Sequence, residues 1–180
     1  MRILAISGSL RAGSSNTEAL RALALLGGAS IEVVLWEGLT RLPHFNPDLD
    51  VDPAEAAVAE FRSEVARADA VVVCSPEYAH GIPGALKNAL DWLVSGVEMS
   101  EKPVALVSAS PWSRHARASL EEVLYTMGAR VVPAASVSLP LRGRHLDAAG
   151  IAADPEFRAP LLAVLLELGR AVTGSAQSKT

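Results

Sequence analysis

The stretch AVVVCSPEYAHGIPGALKNALDW, residues 70–92, decides the fold. It begins with an unbroken apolar run, Ala70–Cys74, which predicts a strand buried on both faces of a parallel sheet. A loop rich in proline and glycine follows and leads directly into a helix predicted over residues 83–93. In an open α/β sheet, ligands bind beside such loops, at the carboxyl ends of the strands. The stretch therefore predicts a strand–loop–helix unit that forms part of a binding site.

A second unit of this kind opens the chain at residues 3–16, and the pattern then alternates to the end. Apolar runs predict strands at residues 3–6, 31–36, 70–74, 104–107 and 130–132, with 135–139 as a candidate part of the fifth. Helical spacing predicts helices at residues 17–26, 53–67, 83–93, 115–127 and 155–172. This alternation indicates an α/β fold with a five-stranded parallel sheet covered on both faces. The order 2-1-3-4-5 is the economical one, because it places the loops after strands 1 and 3 side by side.

The bulk composition bounds the class of protein. A chain of 180 residues suits one domain, predicted over residues 1–173, and the small polar segment 174–180 is predicted as a disordered tail. The net charge of -4 gives no sign of a nucleic-acid partner, and no apolar run approaches the roughly 20 residues of a membrane span. A single cysteine excludes an internal disulfide, and no leader pattern is visible, so a cytoplasmic protein is expected.

The loop after the first strand, SGSLRAGSSNT at residues 7–17, has the chemistry of an anion site. Its candidate donors are Ser9, Arg11, Ser14, Ser15, Asn16 and Thr17. The start of the following helix adds unpaired N–H groups and the positive end of the helix dipole, which suit a phosphate. Serine and asparagine in front of a helix are also ordinary caps, and that interpretation stays open for each of them. The loop has neither the Gly-Lys-Ser/Thr ending of a P-loop nor G-x-G-x-x-G spacing.

Three motifs together resemble the NADPH-dependent FMN reductase family, which includes quinone, azo-dye and chromate reductases. They are GSLRAGSSN after strand 1, LPHFNPDLD before the second helix, and SPEYAHGIPGALKNALDW after strand 3. The motifs occur in the family's order and cover roughly residues 1–135 together with the alternating pattern. The resemblance implies a flavodoxin-like three-layer sandwich.

The resemblance also implies how FMN is bound. The phosphate and ribityl chain would contact Ser9, Arg11, Ser14, Ser15, Asn16 and Thr17. The isoalloxazine ring would contact Pro76, Glu77, Tyr78 and Ala79, with Gly81 nearby, and the pocket would be completed by Ser108 and Ser110. No side chain is predicted as catalytic, because the flavin carries the chemistry, and no metal site is predicted.

The implied activity is an oxidoreductase that uses NADPH or NADH as co-substrate. Hydride would pass through flavin N5 to a quinone, a flavin or a similar small acceptor in a ping-pong scheme, and a homodimer or homotetramer is expected. Two alternatives stay open: a flavodoxin-type electron carrier, and a family member that has lost flavin and serves as a scaffold. Carriers are usually strongly acidic, and the mild charge of this chain favours the enzyme.

The chain departs from the family pattern at two places. The family commonly has Asn after Glu-Tyr, where this chain has Ala79 and then His80. It often has a glycine-rich stretch after strand 4, where this chain has SPWSRH at residues 110–115. His80 is a candidate proton donor or an ordinary loop histidine. Trp112 would either stack on a ring or cover an apolar seam, and Arg114 would meet the 2′-phosphate of NADPH or pair with an acidic neighbour.

The other chemically interesting side chains have ordinary interpretations. Cys74 is expected to pack in the core. Lys87 and Asp91 are spaced for an ion pair along one helix. The basic residues Arg142, Arg144 and His145 are expected on a solvated loop.

Overall fold

A six-stranded parallel sheet forms the centre of the molecule in a computed structural model that describes residues 1–111 and 113–177. Its strands are β1 (Arg2–Ser7), β2 (Glu32–Trp36), β3 (Ala70–Cys74), β4 (Pro103–Ser108), β5 (Arg130–Val131) and β6 (Val137–Ser138). The order is β2-β1-β3-β4-β5, and β6 also pairs with β4. The predicted parallel order 2-1-3-4-5 is confirmed.

The fifth strand of the prediction is two short strands that pair with β4 one after the other. A 3-10 turn over Pro133–Ala135 separates them, because proline has no N–H to offer to the ladder. The Ser136 hydroxyl takes over at the gap: it accepts from Leu106 N at 3.0 Å and donates to Val132 O at 3.0 Å. The sheet edge is thus kept together although its backbone ladder is interrupted.

The helices are α1 (Ser15–Leu26), α2 (Ala56–Arg67), α3 (Gly84–Asp91), α4 (Arg114–Thr126), α5 (Ala148–Ala153) and α6 (Pro155–Gln177). The sequence did not predict α5, a short Ala-rich helix whose start is capped by Asp147 Oδ1, which accepts from Gly150 N at 2.8 Å. Helix α6 continues past residue 172 to Gln177, so part of the segment predicted as a tail is helical. Residues 178–180 lie outside the described residues.

Each face of the sheet has its own apolar core, because side chains of a strand alternate between the faces. One core joins Ile3 and Ala5 of β1 to α1, α5 and α6. The other joins Leu4 and Ile6 to α2, α3 and α4. The predicted three-layer sandwich is confirmed. Within the described ranges, none of the helices has both the length and the apolar character needed to cross a membrane.

Candidate binding site

The loops after β1 and β3 meet at Gly8. Ser7 is the register partner of Cys74, and Gly8 N donates to Cys74 O at 2.9 Å. A Cβ at Gly8 would lie 2.8 Å from Ser75 Oγ and 3.1 Å from Leu86 Cδ2. A side chain at Gly8 would require Ser75 and Leu86 to shift, so the strand 1 and strand 3 loops approach closely and the expected juxtaposition is present.

A cavity of about 480 Å³ opens between these loops, a size typical of small-molecule sites. It is lined by Ser9, Arg11, Ser14, Ser15, Asn16, Pro76, Glu77, Tyr78, Ala109, Ser110, Ser113 and Arg142. Most of the predicted site residues are thus gathered around one space, although they come from three separate loops.

Four predicted site residues do not line this cavity. The Thr17 hydroxyl lies 2.8 Å from Ser7 Oγ, and Thr17 lines a neighbouring cavity of about 280 Å³ towards β2. The Ser108 hydroxyl donates to Ser110 O at 2.6 Å, so it holds the turn after β4. Ala79 and Gly81 belong to a hairpin beyond Tyr78. These four residues lie beside the cavity and do not line it.

Side chains of the β1–α1 loop form hydrogen bonds with backbone groups of the same segment. Ser14 caps α1, with its hydroxyl accepting from Asn16 N at 3.3 Å, so the ordinary capping interpretation is correct for this serine. The Arg11 guanidinium donates to Gly13 O at 3.4 Å within the same loop. Gly13 has a φ of 63°, in the left-handed region that favours glycine. Arg11 is exposed and sits at the cavity, so its positive charge is available to an anion.

Asn16 joins three elements at the base of the cavity. Its Oδ1 accepts from Cys74 Sγ at 3.3 Å and from Ala109 N at 3.4 Å. The amide oxygen therefore links α1 to the ends of β3 and β4, and the amide nitrogen is the group this side chain can offer to a ligand. Cys74 packs in the core as predicted, and it also belongs to this link.

The Cys74 thiol is expected to be inert to thiol reagents in the native protein. Burial raises the pKa of this thiol far above its ordinary value, and the thiolate is the reactive form. Titration with a chromogenic disulfide reagent should give no product in buffer and one thiol per chain in denaturant. Rapid reaction of the native protein would contradict the buried position.

The loop after β3 turns back on itself in a hairpin. Tyr78 N donates to Gly81 O at 3.0 Å and Gly81 N to Tyr78 O at 2.9 Å. The two residues between them, Ala79 and His80, have φ values of 48° and 61°. A turn with both central residues at positive φ is type I′, which favours Asn and Gly. The first departure from the family pattern thus leaves a side chain other than Asn or Gly in a strained turn.

Glu77 reaches from this loop to the start of α4. Its Oε2 accepts from His115 N at 2.8 Å and from Ala116 N at 2.9 Å. These N–H groups belong to the first turn of α4, which has no capping side chain of its own. The Ala116 and His115 N–H groups hold the pKa of Glu77 below its ordinary value. Glu77 therefore links the two loops as a carboxylate.

The contribution of Glu77 to stability is expected to depend on pH. Since the pKa of Glu77 is lowered by folding, its contribution is complete above the unfolded value of about 4.3 and is lost as the pH falls through the folded value. Glu77→Gln should therefore destabilise the protein at about pH 6 and much less at about pH 3. Urea unfolding at both pH values measures this. Glu122→Gln, on α4, is the control. An equal loss of stability in Glu77→Gln at both pH values would contradict the linkage.

Three side chains with metal-binding chemistry meet beside this link, which the sequence analysis did not predict. Glu77, His80 and His115 each place a ligand atom within 4.8 Å of the others, and the two imidazole rings lie 4.6 Å apart. The cluster unites the two segments that depart from the family pattern. Trp112, between them in sequence, lies outside the described residues.

Arg142, which was predicted to lie on a solvated loop, is a further cavity residue. It is exposed, as predicted, but it lines the cavity together with Arg11. Its neighbour Arg144 instead pairs with Glu156 at 2.7 Å. The basic cluster after the last strand was a usable signal, because that loop lies at the same sheet edge as the first loop. Lys87 and Asp91 form their predicted ion pair on α3.

The residues around the cavity fit FMN. One end offers hydroxyl groups, the start of α1 and the Arg11 guanidinium, which together are a donor set for a phosphate. The other end offers the backbone and flat side chains of residues 76–78 and the small side chain of Ala109. The hydrogen bond from Gly8 N to Cys74 O joins the ends of the two strands from which these loops start.

Comparison with known proteins agrees with this assignment. The family described as NADPH-dependent FMN reductase matches residues 1–142. A probable NADPH:quinone oxidoreductase of Oryza sativa subsp. japonica is 35% identical over 176 residues, covering 93% of this chain and 87% of the relative. An NAD(P)H-dependent FMN reductase of Pseudomonas aeruginosa is 40% identical over 114 residues, covering 61% of this chain and 60% of the relative.

A solved structure is similar over nearly the whole fold. The flavoenzyme NAD(P)H:(acceptor) oxidoreductase of Paracoccus denitrificans matches with a TM-score of 0.69 and 25% identity, covering 96% of this chain and 95% of that one. The fold and the site define a flavodoxin-like flavoprotein oxidoreductase. The chain belongs to the NADPH-dependent FMN reductase family, with FMN and NAD(P)H as its cofactors. The predicted family, enzyme class and cofactors are confirmed.

Proposed function

We propose that this protein holds FMN in the cavity between the β1–α1 and β3–α3 loops and reduces quinones, flavins or similar small acceptors with NAD(P)H. The observation that supports this proposal is the cavity itself. It has a cationic, hydroxyl-rich end at Arg11 and an open end beside Tyr78, which is 53% exposed. A ligand anchored by its phosphate would thus present its ring to small molecules from solvent. The rice relative, described as a quinone oxidoreductase, supports this choice of acceptor.

The phosphate end would be formed by five residues of the first loop and of the start of α1. The proposed phosphate and ribityl contacts are Ser9, Arg11, Ser14, Ser15 and Asn16. Arg11 supplies the full positive charge, and the first N–H groups of α1 supply uncompensated donors. Thr17 would support these contacts indirectly, because its hydroxyl is hydrogen-bonded to Ser7.

The ring end would be formed by the β3–α3 loop and the turn after β4. Pro76, Glu77 and Tyr78 provide one wall, and Ala109 and Ser110 provide the other. Ala79, Gly81 and Ser108 keep these walls in place through the hairpin and the serine turn. When bound here, FMN would supply hydride transfer at N5, and the protein would orient it and exclude water from its buried side.

The shape of the site supports the proposed ping-pong order. Asn16 and its bonds to Cys74 and Ala109 form the base of the cavity, and the exposed Tyr78 lies at its solvent side. NAD(P)H and the acceptor would therefore occupy the same space in turn. No nucleophile is required of the protein, and Cys74 is kept protonated by burial.

The assembly and location remain proposals. We propose a homodimer or homotetramer, supported by the exposed apolar side chains of Val94, Val97 and Tyr125 outside the cavity. A cytoplasmic location is the expectation from the sequence. Light scattering on the purified protein would measure the assembly, and a monomer would overturn it.

Steady-state kinetics test the proposed function. Initial rates of NADPH oxidation would be measured against benzoquinone at several fixed concentrations of each substrate. Parallel double-reciprocal lines are expected, because one substrate leaves before the other enters. Intersecting lines would overturn the ping-pong order, and the absence of acceptor-dependent oxidation by FMN-loaded protein would overturn the acceptor class.

A further inference from the structure

The cluster of Glu77, His80 and His115 lies at the rim of the cavity, outside the proposed phosphate end. All three ligand atoms lie within 4.8 Å of one another. Both histidines are exposed, so an ion can reach them from solvent. The cluster is built from two loops that are distant in sequence, and the fold fixes their approach through the bonds of Glu77 to the first turn of α4.

Each of the three side chains offers one ligand atom to a metal ion. The pKa of Glu77 is lowered, so this side chain is a carboxylate at neutral pH. Its Oε2 receives the two N–H groups of α4, which leaves Oε1 as the oxygen for a further ligand. Each histidine offers a ring nitrogen, Nδ1 or Nε2, as its ligand atom.

The charges around the cluster are mixed. The positive charge of Arg114 opposes the binding of a cation, since Arg114 Nε donates to His115 Nε2 at 3.4 Å. That bond is long, and both side chains are exposed, so the guanidinium can turn into solvent.

The chemistry of the ligand set selects the ion. Two imidazoles and one carboxylate suit Zn²⁺, which binds such sets with three protein ligands and one open position. Mg²⁺ and Ca²⁺ prefer oxygen ligands and are disfavoured by the two nitrogens. His80 has a φ of 61°, a strained value for a residue other than glycine. The turn with this conformation places the His80 side chain in the cluster.

We propose that Glu77, His80 and His115 form a Zn²⁺ site at the rim of the cavity. The ion would tie the Tyr78–Gly81 hairpin to the start of α4 and leave one coordination position for water or an anionic group. The two departures from the family pattern are thus parts of one site. The site shares Glu77 with the proposed ring wall and none of the proposed phosphate contacts, while His80 and His115 do not line the cavity.

Isothermal titration of the purified FMN-containing protein with ZnCl₂ tests the site. About one equivalent of Zn²⁺ is expected to bind per chain, with MgCl₂ giving no comparable heat. His80→Asn should weaken binding by at least about tenfold, since it removes a ligand and asparagine tolerates positive φ. His115→Gln should do the same. His44→Asn, which changes another exposed histidine, is the matched control and should bind as wild type does.

Two outcomes of the Zn²⁺ titration itself would overturn the proposal. One is the absence of stoichiometric Zn²⁺ binding by the wild-type protein. The other is binding that persists unchanged in both His80→Asn and His115→Gln. FMN content, measured by fluorescence after denaturation of each variant, separates this test from the flavin assignment: a variant that keeps its FMN and loses Zn²⁺ supports the site, and loss of both together assigns the effect to the loop fold and overturns it.

Discussion

Replacement of Arg11 by alanine is expected to weaken FMN binding by at least about tenfold. Arg11 is the exposed guanidinium at the phosphate end of the cavity, and its present contact is a 3.4 Å bond to a carbonyl of its own loop. A hydrogen bond to a charged group contributes about 1.5–3 kcal/mol, and about 1.4 kcal/mol corresponds to a factor of ten. The combined change with Ser9→Ala should weaken binding further.

Fluorescence titration of the apoprotein with FMN measures this effect. Arg144→Ala is the control, because Arg144 pairs with Glu156 and does not line the cavity. The stability of both variants should stay close to that of wild type, since neither arginine is buried. Unchanged FMN affinity in Arg11→Ala with Ser9→Ala would contradict the placement of the phosphate.

Gly8→Ala is expected to destabilise the protein by about 1–3 kcal/mol, the usual effect of overpacking a close contact. The new Cβ would lie 2.8 Å from Ser75 Oγ, 3.1 Å from Leu86 Cδ2 and 3.2 Å from Ser75 Cβ. Rotation of the hydroxyl relieves only the first of these contacts, so Leu86 and the Ser75 backbone must also shift by a few tenths of an ångström. The FMN affinity should fall with the stability, because the same two loops form the two ends of the site.

Urea unfolding of the apoprotein measures the loss of stability, and Gly84→Ala is its matched control. Gly84 begins α3, and a Cβ there would meet no atom within 4 Å. This control should be neutral or slightly stabilising, because alanine restricts the unfolded chain. Equal stability of Gly8→Ala and Gly84→Ala would contradict the close approach of the loops.

The sequence predicted the buried elements well because their signals are local. The strand Ala70–Cys74 is correct at both ends, since an unbroken apolar run bounded by Ser75-Pro76 has one plausible structure. The fifth strand was wrong in detail: Pro133 interrupts the ladder, and Ser136 restores the contact through its hydroxyl. Helix α5 was missed because five of its six residues are Ala or Gly, and Ile151 alone makes no apolar stripe.

The site was predicted where function depends on a loop at a strand end, and missed where it depends on contacts between loops. The β1–α1 loop and residues 76–78 do line the cavity. By contrast, the approach of His115 to His80 depends on Glu77 holding the start of α4, which no local pattern shows. The place of Arg142 at the cavity likewise depends on the path of the chain after β6.

Anaerobic spectroscopy of the purified protein tests the central claim most directly. The FMN-containing protein should be yellow, lose its visible flavin absorbance when NADPH is added, and regain it when a quinone is added. The protein should release FMN on denaturation. A colourless protein that takes up no added FMN, or a yellow one whose absorbance NADPH and NADH leave unchanged, would contradict the account.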